Sequence, residues 1–162
     1  MTDGKLYIDG RWTEGGGDGF ASFDPATEAP VWRGNEASTD QVGQAVAAAR
    51  AAFPDWADRP RAERIAAMKR YQAALKARAP AFAEAISRET GKALWETTAE
   101  LGAMAGKVDI SIRAYDERTG ERTSETAFGH ATLRFRPHGV MAVVGPFNFP
   151  GHLPNGHIVP AL

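Results

Sequence analysis

The chain of 162 residues carries 19 basic and 20 acidic residues, a net charge of −1, and 43% of its residues are hydrophobic. This composition is that of an ordinary globular domain, and the balanced charge excludes strong electrostatic attraction to nucleic acid or to an anionic membrane. The lack of cysteine excludes disulfides, zinc thiolate sites and a cysteine nucleophile within these residues.

The first 35 residues predict short strands joined by tight turns. Asp9-Gly10 is typical of a two-residue hairpin turn. Residues 20–23 and 31–34 predict two further extended segments, with a turn at Asp24-Pro25 between them. The glycine-rich residues 15–19 are not followed by the helix that a phosphate-binding loop requires. These elements are therefore interpreted as structural.

A first helix is predicted from a capping box. Ser38 and Gln41 have the spacing of this motif, and apolar residues then recur at helical intervals up to Phe53. Because proline interrupts the backbone ladder of a helix, we expect Pro54 to end this one.

Two longer helices follow. Pro60 suits the opening of the second helix, Pro80 is expected to break or kink it, and Gly91 suits a left-handed C-cap. The third helix is indicated by an apolar stripe that is interpreted as core, and its members are Leu94, Leu101, Met104, Val108, Ile112 and Tyr115.

The segment Glu89-Thr90-Gly91-Lys92 does not form a nucleotide P-loop. Ile86 stands where that motif needs glycine, and Ala93 stands where it needs serine or threonine. Lys92 is therefore interpreted as a solvated residue beside a helix end.

A second hairpin is predicted after Gly120. Residues 121–126 and 131–136 alternate apolar and polar side chains around Phe128-Gly129. Such alternation is typical of a ribbon that is exposed on one face.

The last part of the chain predicts a buried strand followed by a helix. Residues 140–144 are a continuous apolar run, typical of a strand buried on both faces of a parallel sheet. Ligands bind beyond the carboxyl ends of such strands, so the next residues are expected to meet a cofactor or substrate. A helix is predicted over 153–162, with Pro154 tolerated only in its first turn.

Asn148 is the polar residue at this predicted strand end. Phe147 and Phe149 flank it, so we expect its amide to lie in an apolar turn where water competes poorly for hydrogen bonds. Such an amide suits the stabilisation of an oxyanion. The alternative is that Asn148 caps the following helix, and its position alone favours neither interpretation.

The motif Gly145-Pro146-Phe147-Asn148-Phe149-Pro150 resembles one found in the NAD(P)-dependent aldehyde dehydrogenase superfamily. Four further segments match that superfamily in its own order: Ile8-Asp9-Gly10-Arg11-Trp12, Asp24-Pro25-Ala26-Thr27, Ala52-Phe53-Pro54-Asp55-Trp56 and Glu89-Thr90-Gly91-Lys92. Residues 134–140 and 149–160 also resemble, within the superfamily, enzymes that oxidise a semialdehyde with two carboxylates remote from the aldehyde.

The resemblance implies an α/β fold, the N-terminal part of an aldehyde dehydrogenase. Residues 1–120 would belong to the cofactor-binding domain, 121–139 would form a bridging hairpin between subunits of a dimer or tetramer, and 140–162 would begin a Rossmann-like core. The chain would then be incomplete and inactive alone, because the family's catalytic cysteine and glutamate are missing. The alternative is a non-catalytic interaction and oligomerisation module.

The resemblance also implies roles for particular residues. Asn148 would be the catalytic oxyanion donor, and the crevice for NAD, with NADP not excluded, would be lined by Val144, Gly145, Pro146 and Phe147. The aldehyde site would include Phe149, His152, Met104 and Lys107, with Glu100 beside the entry tunnel.

Recognition of the substrate carboxylates would need cationic groups or helix N-termini. The candidates are Lys107, Arg113, His152 and His157, and each has an alternative interpretation as a plain surface or helix-end residue. No metal site is expected, because His152 and His157 are five residues apart on a helix, where ligand pairs prefer four.

The expected partners are a small aldehyde substrate and further copies of the same chain, with neither nucleic acid nor membrane. The N-terminus has no apolar signal segment, and no stretch approaches the ~20 apolar residues of a membrane span. A cytoplasmic location is therefore predicted.

Overall fold

The computed structural model describes residues 4–162. In chain order its elements are β1 (Leu6–Ile8), β2 (Arg11–Thr13), β3 (Gly19–Phe23), β4 (Pro30–Asn35), α1 (Thr39–Ala57), α2 (Arg61–Thr90), α3 (Leu94–Arg118), β5 (Arg122–Thr126), β6 (Gly129–Leu133) and α4 (His152–Ala161). The strands form three two-stranded antiparallel sheets, β1–β2, β3–β4 and β5–β6.

The two N-terminal hairpins confirm the predicted strands. Asp9 and Gly10 both have positive φ angles, 49° and 75°, as a type I′ turn between β1 and β2 requires. In the second hairpin the pairing of β3 with β4 shifts register between Ser22 and Phe23. The turn that joins these two strands is closed by the Asp24 carboxylate, which accepts the N–H of Ala26 at 2.9 Å.

Helix α1 begins with the predicted capping box and does not end where it was predicted to end. The N–H of Gln41 donates to the Ser38 hydroxyl at 3.3 Å, and the N–H of Ser38 donates to the Gln41 side chain at 3.0 Å. Pro54 lies inside the helix, which continues to Ala57. Proline removes one backbone donor, and the next turn closes with the N–H of Asp58 on the Pro54 carbonyl at 3.0 Å.

Helices α2 and α3 form a hairpin that contains the core. Its apolar centre consists of Leu75, Ala83, Ile86, Leu101 and Met104. The predicted break at Pro80 is wrong, because α2 runs unbroken from Arg61 to Thr90 and its packing on α3 outweighs the local penalty of proline, whereas a kink at Pro80 stays a prediction. Gly91 is the predicted left-handed C-cap, with a φ of 73°.

The predicted apolar stripe of α3 is buried only in its middle. Leu101, Met104 and Val108 are buried, whereas Leu94 and Tyr115 are exposed because they lie in the terminal turns of the helix.

Helix α4 packs on α3 through a buried polar residue. Asn155 accepts a hydrogen bond from the Tyr71 hydroxyl at 2.8 Å and donates one to the Met104 carbonyl at 3.1 Å. Pro154 lies in the first turn of α4, as predicted, and Val159 is buried further along. The Asn155 side chain therefore joins α4 to both α2 and α3.

The β5–β6 hairpin forms as predicted, but it is shorter and more exposed. Its second strand ends at Leu133 instead of residue 136, and every residue of both strands is exposed. The expected one-sided burial is wrong, because neither face of the hairpin is covered by the rest of the described chain.

The predicted strand over residues 140–144 does not form. These residues have no strand assignment, and Val144 is 89% exposed. A strand needs a hydrogen-bonded neighbour, and none of the strands in the described chain pairs with this segment. The prediction of burial on both faces is therefore wrong for this structure.

Among residues 4–162, no helix combines the length and the apolar character that crossing a membrane requires.

Candidate functional site

The predicted oxyanion donor, Asn148, lies in the turn between Pro146 and α4. Asn148 is exposed, and Phe147 beside it is 88% exposed. The expectation that the Asn148 amide lies in a water-poor apolar turn is therefore wrong in this structure, because no other element of the described chain covers Phe147. The helix-cap alternative is wrong as well, since the N-cap of α4 is Gly151 and has no side-chain cap bond.

The N-terminus of α4 is capped from a different helix. The carboxylate of Glu100 on α3 accepts the N–H groups of Gly151 and His152, each at 3.0 Å through Oε1. The first N–H groups of a helix have no partner within the helix, and they carry the positive end of its dipole. The chain's own carboxylate thus satisfies these two donors, which are therefore not available to a substrate or phosphate anion.

Lys92 completes this arrangement. Its Nζ lies 2.8 Å from Oε2 of Glu100 and donates to the backbone carbonyl of Asn148 at 3.3 Å. It also lies 4.0 Å from the centre of the Phe149 ring, a cation–π distance. The interpretation of Lys92 as a solvated residue is wrong, because only 18% of its side chain is exposed.

The protonation state of Glu100 follows from these contacts. Burial of the side chain, which is 0% exposed, opposes the charged form and would raise its pKa. The hydrogen bonds from Lys92, His152 and Gly151 outweigh burial and hold the pKa of Glu100 below its ordinary value. The carboxylate is therefore charged at neutral pH and forms a buried ion pair with Lys92.

Close packing beneath the turn explains two glycines, Gly145 of the motif and Gly151 directly after it. A Cβ atom on Gly151 would lie 2.7 Å from Sδ of Met104, and one on Gly145 would lie 2.5 Å from Cγ of Pro154. Both distances are shorter than any side chain tolerates without movement. The backbone on either side of Asn148 therefore rests directly on α3 and α4.

Two of the predicted substrate residues, Phe149 and His152, lie beside the turn, and the other two, Met104 and Lys107, lie on α3. Phe149 is 42% exposed beside the turn, and His152 is half-buried with its ring centre 6.5 Å from that of Phe149. Met104 is 5% exposed and packs under Gly151, so the predicted contact with the substrate is not supported. Lys107 lies further along α3, with its Cε 3.9 Å from a Cβ built on Gly156.

The remaining candidates for recognition of the substrate carboxylates, Arg113 and His157, form no hydrogen bond with the turn in the described chain. Arg113 and His157 are exposed, and within residues 4–162 no hydrogen bond joins either of them to Asn148 or its neighbours. His152 differs, because its Nδ1 is buried and has no hydrogen-bond partner in the described part of the chain.

The predicted cofactor residues extend from just before the turn into it. Val144, Gly145 and Phe147 are exposed, and Pro146 is half-buried. The exposed apolar side chains of Val144 and Phe147 are therefore available for contact with a ligand or with another segment of protein. The described residues contain no group of three histidines, aspartates, glutamates or cysteines that could hold a metal ion.

Sequence reasoning missed Glu100 and Lys92 as a pair. The resemblance places Glu100 only beside the substrate tunnel, and its role as the cap of α4 has no local sequence signal, because the residues it caps lie 51 and 52 positions away.

Comparison with known proteins gives a consistent result. The model of the "Aldehyde dehydrogenase family" matches residues 12–162. Over 98% of its length the chain is 66% identical to an N-succinylglutamate 5-semialdehyde dehydrogenase from a Caulobacter species, and it covers 33% of that protein. The chain thus spans about a third of the length of the curated relatives it matches.

Solved structures show the same fold. The NADP-dependent glyceraldehyde-3-phosphate dehydrogenase from Bacillus halodurans, complexed with NADP, superposes with a TM-score of 0.92 at 24% identity, over 100% of this chain and 36% of that one. An NAD-dependent benzaldehyde dehydrogenase from Corynebacterium glutamicum gives a TM-score of 0.87 at 27% identity, over 97% and 35%.

Proposed function

We propose a function from one premise: this chain belongs to the aldehyde dehydrogenase family. It forms the N-terminal part of an enzyme that oxidises N-succinylglutamate 5-semialdehyde to the corresponding carboxylate with NAD, and NADP is the alternative cofactor. The choice of substrate rests on the 66% identity to an enzyme of that name, and it is consistent with the 59% identity to a further one from Burkholderia mallei.

The exposed amide of Asn148 is the observation that carries the proposal. Its backbone carbonyl is held by Lys92, its two flanking phenylalanines make an apolar surface, and its side chain has no hydrogen bond to the rest of residues 4–162. A side-chain amide without a hydrogen-bond partner in the described chain is a donor available to a ligand. Donors of this kind stabilise the charge that develops when a nucleophile adds to a carbonyl.

The reaction divides between this chain and the rest of the enzyme. Addition of a thiolate to the aldehyde carbon places a negative charge on the former carbonyl oxygen, and the Asn148 amide N–H donates to that oxygen. The thiolate comes from outside these residues, because the sequence has no cysteine. The cofactor, held by residues 144–147, would supply the hydride acceptor that this oxidation needs, and hydrolysis of the resulting thioester would release the carboxylate and return the thiolate.

Residues 144–147 would hold the cofactor. Their exposed apolar side chains, Val144 and Phe147, offer contact area, and Gly145 lets the backbone lie against Pro154 at the start of α4. The same surface would be covered in the complete enzyme, which also accounts for its unusual exposure here.

Recognition of the substrate carboxylates is assigned to side chains and not to the N-terminus of α4. Glu100 already occupies that N-terminus, and its charge would repel a carboxylate. Of the candidates, His152 lies closest to Asn148 in the chain and its half-buried ring adjoins Phe149, so it is the preferred partner, together with an apolar contact from Phe149.

The β5–β6 hairpin would join subunits. Residues 121–139 include two strands that are exposed on both faces and have free outer edges, a form that pairs readily with a second copy. A homodimer or tetramer is therefore proposed. This exposure also favours a second candidate function, a non-catalytic oligomerisation module, which predicts subunit pairing without any effect of Asn148 on catalysis. A cytoplasmic location stays a prediction from the sequence.

Substitution of Asn148 in the complete enzyme tests the proposal. Asn148→Ala is expected to lower kcat by a factor of about 10²–10³, the range typical for the loss of one oxyanion donor, with little change in NAD affinity or melting temperature. Asn148→Asp, which has the same size and no N–H donor, is expected to lose as much. Steady-state kinetics and thermal melting of both variants give the result.

A buried asparagine provides the control. Asn155→Ala removes the hydrogen bonds that join α4 to the core, so it should lower the melting temperature and leave kcat of the folded enzyme unchanged. If Asn148→Ala behaved like this control, with normal turnover, the catalytic assignment would be wrong.

A further inference from the structure

The geometry points to Lys92 and Glu100 as positioning residues for the reaction, and we propose that this ion pair holds Asn148 in its working orientation. The inference rests on the proposed function of Asn148. It assigns to a buried charge pair on the α2–α3 hairpin a role in catalysis, although neither residue would touch the aldehyde or the cofactor.

Asn148 has no anchor of its own. Its side chain is exposed and forms no hydrogen bond within residues 4–162. The direction of the amide is therefore determined by its backbone, through the Cα–Cβ bond and the staggered rotamers available there. Whatever fixes the peptide groups of the turn also fixes the donor.

Lys92 holds the turn at two consecutive residues. Its Nζ donates to the carbonyl of Asn148 at 3.3 Å, and the same atom lies 4.0 Å from the ring centre of Phe149. The first contact orients the peptide group that follows Asn148. The second contact restrains the side chain of the next residue, so rotation of the turn would break both at once.

Glu100 holds Lys92 and the helix that follows the turn. One carboxylate oxygen accepts Nζ of Lys92 at 2.8 Å, and the other accepts the N–H groups of Gly151 and His152 at 3.0 Å each. The side chain is 0% exposed and all of these partners are donors, so the carboxylate has a single arrangement that satisfies it. The turn is thus fastened at both ends, at Asn148 by Lys92 and at Gly151 by Glu100.

The simpler interpretation is that the ion pair only stabilises the fold. A second ion pair on the same helical hairpin, between Lys69 and Asp109, represents this purely structural role. Its two side chains are about half exposed, 48% and 46%, and neither contacts the turn within the described residues. Lys69 is therefore a matched control for the loss of a lysine from an α2–α3 ion pair.

A double-mutant cycle in the complete enzyme separates the two roles. Lys92→Met is expected to lower kcat about 10- to 100-fold with little change in KM, because a displacement of about 1 Å in a catalytic group has an effect of this order. In the Asn148→Ala background the same substitution should change kcat less than twofold, because the group it positions is already gone. Lys69→Met should leave kcat within twofold in both backgrounds.

A neutral variant covers the case in which Lys92→Met fails to fold, since it leaves Glu100 charged and unpaired. Lys92→Met/Glu100→Gln removes both charges and is expected to give the same fall in kcat. The side-chain amide resonance of Asn148, followed by NMR with selective labelling, should broaden or split in either variant and stay sharp in Lys69→Met. This measurement does not depend on turnover.

Each outcome decides the inference. Equal losses of kcat from Lys92→Met in both backgrounds would mean that Lys92 acts independently of Asn148. A normal kcat in the folded variants would mean that the orientation of Asn148 does not depend on the ion pair. Either result overturns the inference. If Asn148→Ala alone has no effect, the proposed function fails and the inference fails with it, whereas a large effect of Asn148→Ala with none from Lys92 overturns the inference alone.

Discussion

Gly151→Ala is the substitution whose cost can be worked out most directly from the structure. Gly151 has φ and ψ of −91° and −53°, values that alanine adopts without strain, so any cost must come from contacts of the added methyl group. That methyl would lie 2.7 Å from Sδ of Met104 and 3.3 Å from both Oε1 of Glu100 and Cδ1 of Ile86. All three neighbours belong to buried residues.

The expected cost is that of an overpacked core. An added methylene in a well-packed interior typically costs about 1–3 kcal/mol, and Met104 must move by about 1 Å in a site where it is 5% exposed. Because a change of 1 kcal/mol moves the melting temperature of a chain of this length by roughly 2–4 °C, we expect a fall of about 2–12 °C. Thermal melting followed by circular dichroism measures it.

Two further variants test the reasoning. Gly156→Ala lies inside the same helix, where the added methyl meets only Cε of Lys107 at 3.9 Å, so it should stabilise the helix by up to about 1 kcal/mol. Met104→Ala should cost stability alone but relieve the clash, so that the double variant with Gly151→Ala melts higher than the two separate losses predict. Strict additivity, or no loss from Gly151→Ala, would refute the proposed packing.

Two other predictions concern the whole chain. The fold lowers the pKa of Glu100, so the ionised carboxylate contributes its full stabilisation above the ordinary pKa of 4.5, and this contribution is lost as the pH falls through the lowered pKa. Glu100→Gln should therefore make the free energy of unfolding less dependent on pH on the acid side. Urea unfolding measures this, and an unchanged acid slope would contradict it. The 162-residue chain should also self-associate through its exposed hairpin and the exposed side chains of Val144 and Phe147, and a stable monomer at high concentration in light scattering would count against this.

Local signals in the sequence were sufficient for most of the secondary structure. The Asp9-Gly10 turn, the Ser38 and Gln41 capping box and the Gly91 C-cap each depend on residues close together in the chain, and each forms as predicted. The two prolines do not end their helices for different reasons. Helix α2 packs on α3 through buried residues, which outweighs the local penalty of Pro80. Helix α1 has no buried residue, and it continues past Pro54 through its own backbone, with the N–H of Asp58 on the Pro54 carbonyl.

The site could be predicted only in part. The motif around Asn148 located the turn, but the neighbours of that turn come from distant positions, since Lys92 is 56 positions from Asn148 and Glu100 is 51 positions from Gly151. No periodicity or spacing encodes such contacts. The prediction for residues 140–144 failed for a related reason, because an apolar run specifies burial without specifying the strand that provides it.

The capping of α4 by Glu100 has a consequence for the order of folding. Helices α2 and α3 are adjacent in the chain and the contacts nearest their connection are local, so we expect their hairpin to close before α4 docks, both in refolding and during synthesis from the N-terminus. At that stage Glu100 and Lys92 are still hydrated, because the N–H groups and the Phe149 ring that cover them belong to a segment about 50 residues further on. Glu100 and Lys92 therefore lose their water only when α4 docks, and the turn that carries Asn148 takes its final conformation in the same step.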